Sequence, residues 1–182
     1  MLDALRDPLT QTVIALGLAL LFAVGAVTKA RHFARFSAQL AEYRLVPAVG
    51  VPVAAAIVTL SEALVALALP WPTLRAPGGL TAAALLSTYA AAIAVNLLRR
   101  RDYIDCGCGD TPVLLTPWLL LRNGVLAAAA LSLVLPGTNR AVGVVDLWLG
   151  LLALGVLIML YQAVAQLLEN ASVLREWHET QD

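Results

Sequence analysis

The sequence predicts an all-α integral membrane protein, a bundle of four to five transmembrane helices with a short amphipathic helix between the first two. Apolar residues make up 60% of the chain and charged residues only 13%, against about 25% charged in typical globular proteins. The apolar residues also form long runs, and about 20 such residues span the hydrocarbon core of a bilayer. The formal net charge is zero, which gives no electrostatic basis for binding nucleic acid.

Five apolar runs predict a single membrane domain over residues 1–182, with the lipid bilayer as its solvent. The predicted spans are residues 9–30, 47–69, 79–98, 117–135 and 146–168. Pro8 stands at the entrance of the first span, where its missing N–H costs no helical hydrogen bond. Trp71, Trp118 and Trp148 fall at predicted span ends, where interfacial positions favour tryptophan. The polar residues 169–182 are expected to extend the fifth helix beyond the bilayer.

The connection between the first two spans, residues 31–46, has a helical pattern. Phe33, Phe36, Leu40 and Tyr43 recur at intervals of three and four, which places them on one stripe of a helix. Basic residues accompany this stripe, and the combination predicts a helix that lies in the membrane interface. The alternative is a connector helix packed on the bundle.

Lysine and arginine are concentrated in the first and third loops. These two loops hold seven of them, and the second and fourth loops hold only Arg75 and Arg140. We expect a multi-pass protein of the bacterial inner membrane, and for it the positive-inside rule predicts an N-terminus outside and a C-terminus and third loop at the cytoplasmic side. The N-terminal segment mixes acidic residues with Arg6 before a long apolar run, so we expect a retained first helix rather than a cleaved signal peptide.

Polar side chains inside the predicted spans are costly in lipid and are therefore candidates for function. Glu62 is expected about 15 Å in depth from Arg122, too far for a direct ion pair. Arg122 matches Asn96, Asn123 and Lys29 in depth, which predicts a polar pocket next to the third loop. The structural alternatives are an Arg122 that extends to the interface, asparagines that only join neighbouring helices, and a protonated Glu62 bonded to a nearby Ser or Thr.

The third loop carries the sequence DCGCGD at residues 105–110, which contains the only two cysteines of the chain, Cys106 and Cys108. A reversible disulfide is one chemistry of this pair, because Gly107 eases the backbone of the small ring and strained, exposed disulfides exchange readily. Binding of a soft metal such as Cu(I), Zn or mercury is the second, although a structural zinc site needs four ligands. Two idle cysteines are the third alternative. No cofactor is predicted.

The whole pattern resembles the MauE family of methylamine utilisation integral membrane proteins, related to the DoxX-like proteins. The likeness covers about residues 16–135 and is most specific where an arginine run precedes DCGCGD. The loop GAVTKARHFARFSAQLAEYRLVP, which leads into the span with Glu62, supports it further. Gly109 and Asp110 stand where the family pattern often has an aromatic residue.

The resemblance implies a thiol–disulfide exchange or redox relay protein that supports maturation of methylamine dehydrogenase, whose small subunit carries many disulfides, or of a similar exported enzyme. It implies Cys106 and Cys108 as the redox pair and a membrane-anchored, thioredoxin-like partner similar to MauD. The residues of the polar pocket and Glu62 are assigned supporting roles. Two other functions stay open: a carrier of a soft metal or small molecule with the two thiolates as ligands, and a structural assembly factor.

Two of these predictions conflict. Disulfides of exported enzymes form outside the cytoplasm, whereas the charge count places Cys106 and Cys108 at the cytoplasmic side. A loop that re-enters the membrane, exchange with a cytoplasmic thiol donor, or an exception to the charge rule would each resolve the conflict.

Overall fold

A computed structural model of the protein describes residues 2–99, 117–138 and 143–179. All regular structure within these ranges is helical, which confirms the predicted all-α class. The helices are α1 Leu2–Arg6, α2 Pro8–Arg31, α3 Phe33–Glu42, α4 Val51–Ala68, α5 Arg75–Leu98, α6 Pro117–Ser132 and α7 Val144–Glu179. Short 3-10 turns, Ala48–Gly50 and Pro72–Leu74, lead into α4 and α5.

Local chemistry sets the ends of α2. Pro8 occupies the first turn, and the Asp7 carboxylate accepts a hydrogen bond of 2.9 Å from the N–H of Leu9, which satisfies one of the free donors of a helix start. Lys29 and Arg31 lie in the last turn, where cations favour the negative end of the helix dipole. The helix ends at His32, and α3 begins directly after it.

Three helical stretches of the described chain are long and apolar enough to cross a membrane: Pro8–Arg31, Ala48–Ala68 and Pro72–Leu98. The outer face of α4 is an example of the surface that such a helix presents to lipid. Its large apolar side chains, spaced three or four residues apart, are 59–70% exposed; they are Val53, Ile57, Leu60, Leu64 and Leu67. A continuous exposed stripe of this kind is unfavourable in water and is the expected lipid-facing surface of a membrane helix.

The remaining predicted spans coincide with α6 and α7. The 16 residues of α6 are fewer than the predicted 117–135, and α7 runs 36 residues from Val144 through the polar tail. That these two helices also cross the bilayer stays a prediction. The direction of α7 suits a fifth crossing, because Gly150 lies beside Leu9 and Gly17 beside Leu154, so α7 runs parallel to α2.

Four helices, α2, α4, α5 and α6, enclose the main apolar core. Small and medium side chains dominate it: Ala15, Leu18, Ala19, Phe22, Val65, Leu69, Ala82, Ala83, Leu86, Ala127, Ala130 and Leu133. The α5–α6 contact is the most extensive between described helices. A β-carbon on Gly79 would lie 2.6 Å from the carbonyl oxygen of Ala130, so glycine is needed for this close approach.

A second, smaller apolar cluster marks the end of the bundle nearest α3. Tyr43, Ile93 and Leu119 form it. Since Gly79 packs against Ala130 and Ile93 clusters with Leu119, α5 and α6 run antiparallel. The end of α5 and the start of α6 therefore lie at the same end of the bundle as α3, which we term the α3 end.

Candidate functional site

A buried cluster of charged and polar side chains joins three helices near the α3 end. Lys29 of α2 donates two hydrogen bonds from Nζ to the carboxylate oxygens of Glu62 on α4, at 2.9 and 2.8 Å. Tyr89 of α5 donates its hydroxyl to Oε1 of the same carboxylate at 2.6 Å. Lys29 and Glu62 are only 7% and 3% exposed. A buried ion pair inside a membrane bundle is a functional candidate, and we call Lys29, Glu62 and Tyr89 the charged cluster.

Two aromatic rings surround the ammonium group of Lys29. Its Nζ lies 5.3 Å from the ring centroid of Phe36 and 5.8 Å from that of Tyr89, within the range of cation–π attraction. Tyr89 thus contacts the pair twice, with its ring on the cation and its hydroxyl on the anion. Phe36 belongs to α3, so α3 closes over the charged cluster from the end of the bundle.

The directions of the helices explain why Lys29 meets Glu62. Side chains lean toward the N-terminus of their own helix. Lys29 on α2 therefore reaches back into the bundle, whereas Glu62 on the antiparallel α4 leans toward the α3 end. The meeting point lies beside Gly25, where a β-carbon would stand 3.4 Å from Nζ and 3.2 Å from Oε2 of Glu62. Glycine at this position leaves room for the pair.

The pairing of Lys29 with Glu62 differs from the sequence-based expectation, which grouped Lys29 with Arg122. Depth counted along the helix axes ignores the length and lean of the two side chains. The alternative of a Ser or Thr partner for Glu62 is wrong. The hydroxyls of Thr59 and Ser61 donate to carbonyls of α4 itself, and the partners of Glu62 are Lys29 and Tyr89.

Sequence reasoning missed Tyr89 altogether. Its signal in the sequence is weak but present: Tyr89 is a lone large polar residue in the small-residue run TAAALLSTYAAAIAV. A tyrosine hydroxyl buried among such residues requires a hydrogen-bond partner.

The two predicted asparagines are fully enclosed. Asn96 is 0% exposed, and its amide donates to the carbonyl of Ala92 on its own helix at 3.0 Å. Asn123 is 2% exposed. Buried Oδ1 of Asn96 and Nδ2 of Asn123 have no hydrogen-bond partner, and such atoms mark strain, function or bound water.

The antiparallel register of α5 and α6 orders these residues along the bundle. Ile93 clusters with Leu119, and Gly79 lies beside Ala130, so Asn123 falls near the level of Tyr89 and Asn96 lies nearer the α3 end. Arg122 is half-buried on α6, next to Asn123. The charged cluster and both asparagines therefore lie in the half of the bundle toward the α3 end, and the described residues with buried polar side chains toward the other end are Gln11 and Ser132.

The redox candidates Cys106 and Cys108 lie outside the described residues, as do Arg100 and Arg101. The described chain shows where their segment is attached: α5 ends at Leu98 and α6 begins at Pro117, both at the α3 end. Within the described residues, no three His, Cys, Asp or Glu side chains come together to hold a metal ion.

The charged cluster can keep a carboxylate ionised inside the bundle and can align three helices. Three hydrogen bonds from Lys29 and Tyr89 stabilise the Glu62 carboxylate against the cost of burying a charge. The charged cluster also fixes the register of α2, α4 and α5, because Glu62 must align with partners on both neighbouring helices.

Comparison with known proteins assigns the chain to a family. The family model "Methylamine utilisation protein MauE" matches residues 8–136. The chain is 41% identical over 138 residues to Methylamine utilization protein MauE of Paracoccus denitrificans, which covers 73% of each chain. It is 37% identical over 171 residues to the Paracoccus versutus protein of the same name, covering 92% of this chain and 91% of that one. No solved structure matches the chain. The chain therefore belongs to the MauE family.

Proposed function

We propose that the protein acts in methylamine utilisation as a membrane thiol–disulfide exchange protein that uses Cys106 and Cys108. The relatives named for methylamine utilisation align with most of the chain, which supports the process. The observation that carries the mechanism is the cysteine pair itself: two thiols, the only ones in the chain, separated by one glycine. Their segment joins α5 and α6, the most extensively packed pair of described helices.

The proposed step conserves atoms and electrons. A thiolate of the reduced pair attacks the disulfide of a partner, and one partner sulfur leaves as a thiolate. The second cysteine then attacks the mixed disulfide, which leaves a Cys106–Cys108 disulfide and a reduced partner. Two electrons and two protons pass to the partner, and the reverse sequence reduces the pair again. The disulfide closes a short ring and is strained, so it exchanges readily with another thiol.

We propose a membrane-anchored, thioredoxin-like protein of the MauD type as the partner. The final client would be an exported enzyme with several disulfides, such as the small subunit of methylamine dehydrogenase. The charged cluster supports the site by aligning α5, which carries the cysteine segment, with α2 and α4.

Growth on methylamine tests the mechanism directly, because substitution of Cys106 and Cys108 removes every thiol of the chain. A Cys106→Ser/Cys108→Ser double variant should abolish growth on methylamine while the protein still accumulates in the membrane. Single Cys108→Ser should trap a mixed disulfide with the partner. If the double variant supports growth as well as the wild type, the thiol mechanism is wrong and an assembly role remains. If it abolishes growth but stoichiometric Cu(I) or Zn²⁺ is retained by the wild type, a metal carrier is favoured.

We also propose the orientation that the charge count predicts, with the N-terminus outside and the α3 end at the cytoplasmic side of the inner membrane. Exchange with an exported client then requires a cysteine loop that re-enters the membrane and can be reached from both faces. A membrane-impermeant thiol reagent applied from each side tests the orientation. Labelling of Cys108 in inverted vesicles supports this orientation, and labelling from both sides supports the re-entrant loop. Labelling only in intact, outer-membrane-permeabilised cells would place the cysteines with exported clients instead.

A further inference from the structure

The junction between α3 and α4 contains a groove that the proposed thiol chemistry does not use. It has a volume of about 450 Å³, and its walls include Arg44, Leu45, Val46, Pro47 and Val51. Arg44 is the one charged residue among the described residues that line it, and the other lining residues have apolar side chains. The groove lies at the start of the apolar stretch Ala48–Ala68, so it opens at a membrane end of the bundle.

Arg44 adopts a backbone conformation that its residue type disfavours. Its φ is +50°, in the left-handed region where glycine and asparagine are the usual residues. The neighbouring Tyr43 is buried in the small apolar cluster, and the N–H of Arg44 donates to the carbonyl of Ala41 at 3.1 Å. The backbone is therefore held on the N-terminal side of Arg44, where the preceding helix ends. Strain of this kind is a reason to seek a function for the side chain.

The surroundings of the groove select an anionic, partly apolar ligand. The exposed ionisable side chains along α3 and its two ends are mainly cationic, with Arg31, Arg35 and Arg44 against the single acid Glu42. Arg44 and Glu42 are the two nearest the junction with α4. No ion-pair partner of Arg44 occurs among the described residues. Exposed Leu45 and Val49 continue the apolar wall outward, and Val49 is 93% exposed. Lipid is the medium at this level of a membrane bundle, and basic sites there attract anionic headgroups.

We propose that this groove binds one anionic phospholipid, with its phosphate on the Arg44 guanidinium and the start of an acyl chain against Leu45, Val46 and Val51. Arg44 supplies a charge-assisted hydrogen bond to the phosphate. The bound lipid covers the junction of the interfacial helix with the bundle and fixes α3 beside α4.

Titration of the purified full chain with phosphatidylglycerol and phosphatidylcholine, followed by native mass spectrometry, tests the site. The wild type should bind one phosphatidylglycerol in preference to phosphatidylcholine. Arg44→Asn should weaken that binding by about fivefold, the share expected of one cation at a lipid surface, and Arg44→Lys should retain most of it. Arg75→Gln, which removes a cation at the opposite end of the bundle, is the matched control and should leave the binding unchanged.

Thermal unfolding in phosphatidylcholine separates ligand binding from a fold effect. Asparagine tolerates the left-handed conformation, so Arg44→Asn should unfold at the same temperature as the wild type or higher. The proposal is overturned if Arg44→Asn binds phosphatidylglycerol as the wild type does, or if Arg75→Gln loses as much. Displacement of the lipid by millimolar inorganic phosphate would identify a soluble anion as the ligand and would also overturn it.

Discussion

Breaking the ion pair between Lys29 and Glu62 should be among the most destabilising changes in the described bundle. Lys29→Met leaves a buried carboxylate with only the Tyr89 hydroxyl, and Glu62→Gln leaves a buried ammonium without its counter-charge. Removal of one partner of a buried pair costs about 3–5 kcal/mol. The exposed fractions of 7% and 3% leave little water to compensate, so we expect each single variant to fall in that range.

The double variant distinguishes a coupled pair from two separate effects. In Lys29→Met/Glu62→Gln no charge remains, and Tyr89 can still donate to the Gln oxygen. Replacement of both members of a buried pair is often close to neutral, and the unpaired Gln amide adds about 1–3 kcal/mol. We therefore expect the double variant to be no less stable than either single variant, with a coupling energy of about 3 kcal/mol or more.

Reversible unfolding in mixed micelles, followed by the fluorescence of the four tryptophans, measures these free energies. Ser61→Ala is a matched control next to Glu62, because its hydroxyl donates only to its own helix; its cost should be below about 0.5 kcal/mol. Additive costs in the double variant, or single variants within about 1 kcal/mol of the wild type, would refute the account of the charged cluster.

Three other substitutions test the packing in the same unfolding assay. Tyr89→Phe keeps the ring on the Lys29 ammonium but removes a bond to a charged group, so it should cost about 1.5–3 kcal/mol; no loss would show that the hydroxyl contributes nothing. Gly79→Ala places a β-carbon 2.6 Å from the Ala130 carbonyl oxygen and should cost about 1–3 kcal/mol as α5 and α6 move apart. Gly124→Ala meets nothing within 4 Å and should instead stabilise its helix by about 0.5–1 kcal/mol; equal effects of the two glycine variants would contradict the described contact of α5 with α6.

Much of the helical framework could be predicted because lipid imposes a simple rule on the sequence. Long apolar runs ended by prolines or charges predicted 9–30 and 79–98, and the structure has Pro8–Arg31 and Arg75–Leu98. The amphipathic stripe of residues 31–46 likewise predicted α3. Boundaries differ by a few residues where a 3-10 turn precedes a helix, as before α4, because an apolar composition does not distinguish the two helix types.

The interior polar contacts were harder to predict, for a geometrical reason. Lys29 and Glu62 were both identified as unusual residues, but their pairing depends on the opposite lean of side chains on antiparallel helices. Tyr89 was missed because a tyrosine in an apolar run resembles any other aromatic residue until its hydroxyl partner is known. The cysteine pair was recognised by its composition and its resemblance to a family, and its proposed chemistry rests on those grounds.

Equilibration of the purified full-length chain in glutathione buffers of increasing oxidation tests the proposed chemistry most directly. Acid quenching, alkylation and mass spectrometry then give the fraction of molecules that contain the Cys106–Cys108 disulfide. The account predicts that Cys106 and Cys108 pass reversibly from two alkylated thiols to one disulfide, and that a thioredoxin-fold protein drives the same change. Two fully alkylated thiols at every buffer composition, with no response to that protein, would contradict it.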